Sequence, residues 1–116
     1  MSRRRWRELA CAIALMAPAM PAAAAPDAVG LFAEHCGSCH GADRLGGQGP
    51  ALLPENLGRL SGPRAATVIA EGRAATQMPG FSSTLAKDEI DALTAYILSP
   101  LKGVPTWGAA EIAASR

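Results

Sequence analysis

The chain has 116 residues, 49% of them apolar and 4% aromatic, with twelve glycines, nine prolines and a formal net charge of +1. That length allows one domain, and the leucine, isoleucine, valine and alanine recurring through the second half exclude a low-complexity chain. Four of the eleven basic residues (Arg3, Arg4, Arg5 and Arg7) crowd the start and the remainder is slightly acidic, so no nucleic-acid-binding face is expected.

Met1 to Arg7 is basic, Leu9 to Ala17 is an apolar run, and Pro18 to Ala24 is rich in small residues, with Ala22 and Ala24 in an A-x-A arrangement. This is the plan of a secretory signal peptide over residues 1–24, since the apolar run is far shorter than the ~20 residues that span a bilayer. The expectation is a periplasmic protein with no membrane anchor. A twin-arginine signal is disfavoured by Arg7, and Glu8-Leu9-Ala10 before Cys11 does not match a lipobox.

The remaining chain reads as helical. Asp27 to Cys36 forms a short helix, with Asp27 as N-cap and Val29, Phe32 and Ala33 at helical spacing. Gly41 to Pro50 is turn-rich, and Leu52 to Leu60 has room for a turn of helix. Ser61-Gly62-Pro63 opens a second helix that stops at Gly72, and Arg73 to Thr84 is irregular. A third helix runs from about Lys87 to Leu98, with Asp88, Glu89 and Asp91 near its N-terminus and Ile90, Leu93 and Ile97 as its apolar stripe. Pro100 ends it, and no segment alternates with a period of two, so the fold class is all-α.

Few aromatics leave such a domain short of core, and Cys36 and Cys39 are too close for a disulfide to restrain the unfolded chain. The sequence Cys36-Gly37-Ser38-Cys39-His40 supplies a different staple. Two thiols three positions apart can each add to a haem vinyl group, while the adjacent imidazole is held where it can ligate the iron. A thioredoxin-like pair would need a preceding strand, and a structural zinc site needs two separated ligand pairs; neither is present. One covalent haem c, with iron held by His40, is therefore expected.

With Met1, Met16 and Met20 in the leader, Met78 is the remaining thioether, in an irregular segment before Pro79-Gly80. It is the candidate second axial ligand, against the alternative of a Met simply packed in the core. His35 is tethered too closely to Cys36 to reach the opposite face. A Gly49-Pro50 carbonyl is placed to accept from His40 Nδ1. Pro50, Leu52, Ile69, Phe81, Leu93 and Ile97 are candidate pocket residues, and Arg59 and Arg73 are candidates for the haem propionates or for solvated surface. Gly41 to Gly49 lacks the Gly-Lys-Ser/Thr of a phosphate loop.

Phe32, Cys36-x-x-Cys39-His40-Gly41, Gly49-Pro50-x-Leu52, Met78-Pro79 and Tyr96-Ile97 together resemble class I cytochrome c, in that order and over nearly the whole exported chain. The resemblance implies a small fold whose N- and C-terminal helices cross around the covalent haem, with Phe32 near Tyr96. Ala86 departs from the Ser or Thr that usually opens the last helix. His40-Gly41-Ala42-Asp43-Arg44-Leu45-Gly46-Gly47, Gly49 to Asn56 and the tail from Trp107 are similar to the N-terminal haem c domains of the dihydro-haem d1 dehydrogenase and cytochrome cd1 group. In that group a propeller carries the d1 chemistry, so the chain is expected to be either a carrier on its own or a part that serves a d1-type propeller domain or subunit. The expected organisation is a cytochrome c domain at 25–100 and a tail or linker at 101–116. The function implied is one-electron transfer to redox proteins by transient contact, not catalysis, with denitrification as the setting that the second resemblance implies. An open-site haem sensor or peroxidase with a labile Met78 is the alternative.

Overall fold

The computed structural model describes residues 22–60, 62–103 and 108–116. The signal-peptide reading, Cys11, Ser61 at the opening of the second helix, and Trp107 all lie wholly or mainly outside them. Among the described residues five helices follow in order: α1 (Ala28–His35), α2 (Gly37–His40), α3 (Gly62–Glu71), α4 (Lys87–Ile97) and α5 (Ala109–Ala114). Among the described residues there is no strand, as the absence of alternating patterning requires.

The helix ends follow local chemistry. The Asp27 side chain accepts the Gly30 N–H at 3.1 Å, which satisfies one of the free donors that open α1. Ala86 at the start of α4 has no side-chain acceptor, but the reciprocal half of a capping box survives: Ala86 N–H donates to Glu89 Oε2 at 2.8 Å. Asp88 and Glu89 add negative charge to that first turn. Gly72 ends α3 at φ +76°, where a side chain would be strained.

α4 packs against both α1 and α3. The core consists of Phe32 from α1, Ala65 and Ile69 from α3, Ile90, Leu93 and Ile97 from α4, and Leu57 and Leu85 from the connections. Phe32 is 1% exposed and meets the Tyr96 ring edge-on, with centroids 5.4 Å apart. The expected crossing of first and last large helices is thus present. Between Leu52 and Leu60 the chain makes turns, including one α-type bond from Leu57 N–H to the Leu53 carbonyl, without continuing into a helix.

The tail carries a helix that its periodicity did not signal. α5 has no buried residue, and the Gly108 N–H donates to Glu111 Oε2 at 2.8 Å across its first turn. Backbone N–H groups of Glu111 and Gly108 hold the Glu111 carboxyl below its ordinary range.

Candidate haem site

Cys36 stands at the joint between α1 and α2, closing one helix and opening the next. Its N–H donates to the Phe32 carbonyl at 2.9 Å, and its own carbonyl accepts from the N–H of Cys39 at 3.2 Å and of His40 at 2.9 Å. One turn therefore carries both thiols and the imidazole. Cys39 is exposed and Cys36 half-buried, with no disulfide between them. Burial, reinforced by the charge of a Cys39 thiolate, pushes the Cys36 thiol up from its ordinary value.

The segment after this turn folds back onto it. Gly41, at φ +81°, ends α2, and a Cβ there would meet the Gly46 carbonyl oxygen at 2.6 Å. Gly46 N–H donates to the His40 carbonyl and Gly49 N–H to the Cys39 carbonyl, each at 2.8 Å. These bonds bring the Pro50 carbonyl to 2.8 Å from His40 Nδ1. A carbonyl only accepts, so Nδ1 carries the proton and Nε2 keeps its lone pair for a metal. A Cβ on Gly49 would fall 2.8 Å from His40 Cε1 and 2.9 Å from Nδ1, so the ring lies where only glycine leaves room.

Met78 sits in a second returning loop. Thr76 Oγ1 donates to the Arg73 carbonyl at 2.8 Å and accepts the Met78 N–H at 3.2 Å. The Met78 carbonyl in turn accepts from Arg73 N–H at 3.1 Å. Phe81 N–H donates to the Ile69 carbonyl at 3.0 Å, which pins the end of this loop along α3. Gly72 lets the backbone close up, since a Cβ there would lie 2.7 Å from the Met78 carbonyl oxygen.

Between these two loops and the helices lies a groove of about 570 Å³, within the roughly 300–1,000 Å³ of cofactor pockets. Cys36, Cys39, His40, Pro50, Leu52, Ile69, Arg73, Met78, Phe81, Leu93 and Ile97 all line it, so the structure brings together every one of these sequence-derived candidates. Arg59 is not among the lining residues. Leu57, Leu60 and Val68 add apolar wall, and His35 lines the groove with its ring edge-on to Phe81, centroids 5.8 Å apart. Among the described residues no cluster of His, Cys, Asp and Glu could hold a bare metal ion. Two thiols, one free imidazole nitrogen and one thioether in an apolar groove instead fit a metal carried in a large, apolar macrocycle.

One residue escaped the sequence reading. Arg44 is 1% exposed, at φ 63°, and donates through Nη2 to the Ser99 carbonyl at 3.0 Å and through Nη1 to the Tyr96 carbonyl. An arginine in a glycine-rich turn ordinarily reads as solvated, and only the three-dimensional fold shows it buried.

Residues 23–97 match the family described as Cytochrome C oxidase, cbb3-type, subunit III. The chain is 44% identical over 110 residues to the Dihydro-heme d1 dehydrogenase of Pseudomonas aeruginosa, covering 95% of this chain and 22% of that protein. It is 37% identical over 68 residues to Cytochrome c55X of Stutzerimonas stutzeri, covering 59% of this chain and 60% of the relative. It thus spans about a fifth of the first relative and three fifths of the second. A solved structure of the dihydro-heme d1 dehydrogenase NirN in complex with DHE aligns with a TM-score of 0.65 and 49% identity, over 71% of this chain and 18% of that one. The c-type cytochrome NirC aligns with a TM-score of 0.57 and 34% identity, over 61% of this chain and 84% of that one.

Proposed function

Since the chain belongs to the Cytochrome C oxidase, cbb3-type, subunit III family, a family of c-type cytochrome domains with covalently attached haem c, we propose that it is a periplasmic one-electron carrier with His40 and Met78 as axial ligands. When bound, the haem supplies one-electron oxidation and reduction at its iron. Cys36 and Cys39 would hold it through two thioethers, and Pro50, Leu52 and Phe81 would pack its faces and edge. Arg73, exposed at the rim, is available to a propionate.

The observation that carries this reading is the free Nε2 of His40 sharing one apolar groove with the Met78 thioether. With His40 and Met78 both holding the iron, no position would be left for a substrate, which favours electron transfer over catalysis. Neutral sulfur and apolar walls disfavour the additional ferric charge and so raise the reduction potential. Of the groove-lining residues Arg73 alone is an Arg, Lys, Asp or Glu, and Gln48, Pro50, Asn56, Thr76 and Gln77 are exposed around it, a rim suited to brief contact with redox proteins. The similarity to the dehydrogenase supports a d1-type propeller domain or subunit as one electron partner in denitrification. In the same reading residues 1–24 are a cleaved signal peptide, 25–100 the cytochrome domain and 101–116 a tail. Among the described residues no helix is long and apolar enough to cross a membrane.

The test is the optical spectrum and potential of the holoprotein and of Met78→Ala. The oxidised wild type is expected to show the far-red sulfur-to-iron charge-transfer band, and Met78→Ala to lose it, bind carbon monoxide when reduced, and have a lower potential. A wild type without the band that binds carbon monoxide at neutral pH would establish the open-site sensor or peroxidase instead.

A further inference from the structure

The loop 41–52 carries the Pro50 carbonyl that orients His40, and Arg44 lies in its middle. Arg44 N–H donates to the Gly41 carbonyl at 3.0 Å, and the Arg44 carbonyl accepts the Leu52 N–H at 2.9 Å. The backbone of this one residue thus joins the end of the Cys36–His40 turn to the start of the groove wall. Its side chain reaches away from the groove. The guanidinium donates to the carbonyl of Tyr96 in the last turn of α4 and to that of Ser99 just beyond it, and lies over the Tyr96 ring, 4.6 Å from the centroid.

This placement is costly. Arg44 is buried without a carboxylate partner, its Nε has no hydrogen-bond partner among the described residues, and its backbone is left-handed, where glycine is favoured. Such costs persist where the surrounding structure over-determines a position, which is most often at functional sites. A residue needed only to cap α4 would not have to occupy that backbone position. We propose that Arg44 is a positioning residue: it latches the loop 41–52 to the C-terminal end of α4 and thereby holds the Pro50 carbonyl on His40 Nδ1–H, fixing the imidazole tautomer and orientation. This rests on His40 being the haem ligand. It makes the far end of the domain part of the proximal support, since displacement of the α4 end would relax the Nδ1 hydrogen bond.

The experiment uses the holoprotein with 15N-labelled histidine and follows solvent exchange of the His40 ring Nδ1 proton by NMR, alongside thermal unfolding. Arg44→Met removes the fork and keeps a non-glycine backbone, while Arg44→Gly removes the fork and relaxes the backbone. Both are expected to exchange the ring proton about tenfold faster, as loss of one buried hydrogen bond would allow. Arg44→Lys, which keeps the charge and one donor, is expected to be intermediate and serves if the other two do not fold. Leu85→Ala is the control: Leu85 is 7% exposed and lines a cleft between α3 and α4 to which no residue of 41–52 contributes, so it should lower the unfolding midpoint and leave ring exchange as in wild type. Unchanged exchange in the Arg44 variants, or equal acceleration in Leu85→Ala, would overturn the latch and leave a helix cap. A wild-type holoprotein with no haem-shifted His40 signal would instead overturn the ligation reading, and the latch with it.

Discussion

Gly49 has no side chain because the His40 ring occupies the space one would need. An added Cβ would sit 2.8 Å from Cε1, so either the imidazole swings or the loop retreats. Both movements lengthen the 2.8 Å bond from Nδ1–H to the Pro50 carbonyl. With His40 as the proposed ligand, a weaker bond would leave the imidazole a poorer donor to ferric iron. Gly49→Ala is therefore expected to raise the reduction potential and lower the thermal midpoint of the holoprotein. Gly58→Ala is the matched control, since a Cβ there meets nothing within 4 Å, and voltammetry on both variants should separate ring displacement from any general effect of alanine. The other glycines of the 41–49 segment make their close approaches to neighbouring backbone, that of Cys39, Gly41, Gly46, Gly49 and Ala51.

At the level of elements, α1 and α4 meet through Phe32, and Phe32 is also one residue-turn from Cys36. Its carbonyl accepts the Cys36 N–H, so the contact that joins the helices also sets the first of the two proposed attachment positions. Phe32→Ala removes a side chain that is 1% exposed, and large-to-small changes of this kind cost about 3–5 kcal/mol. The expected result is a large drop in the denaturation midpoint together with poor haem retention; a variant with full haem content and an unchanged midpoint would mean that the α1–α4 crossing does not organise the site. α3 and α4 were legible because each buries a stripe and has a chemical stop, Gly72 and Pro100; α1 was legible from its Asp27 cap, although of Val29, Phe32 and Ala33 only Phe32 is buried and Val29 is 61% exposed. The Cys36–His40 turn and the Pro50 carbonyl were legible because their spacing permits little else. α5 was not, since it buries nothing and so leaves no periodic signal. Arg44 was not, because its role depends on carbonyls more than fifty positions away, at Tyr96 and Ser99. No local pattern encodes a contact of that range.

For the whole molecule, the decisive quantity is what the groove holds. The core of the described residues is built around eight buried side chains, none of them larger than Phe32. Without haem the apolar walls of the 570 Å³ groove stay in contact with water, so the burial that would stabilise so small a core is not realised. The polypeptide without haem should therefore lack a cooperative fold, although its helices can form in part. Cys36→Ser combined with Cys39→Ser leaves the groove intact but removes covalent attachment, so haem could be held only by ligation and packing. Produced in a haem-maturing host, this variant is expected to yield little folded holoprotein, with a broad, non-cooperative thermal transition by circular dichroism. A sharp transition at the wild-type midpoint in a colourless protein would show that the side chains close the groove by themselves, and that the haem is not the missing part of the core.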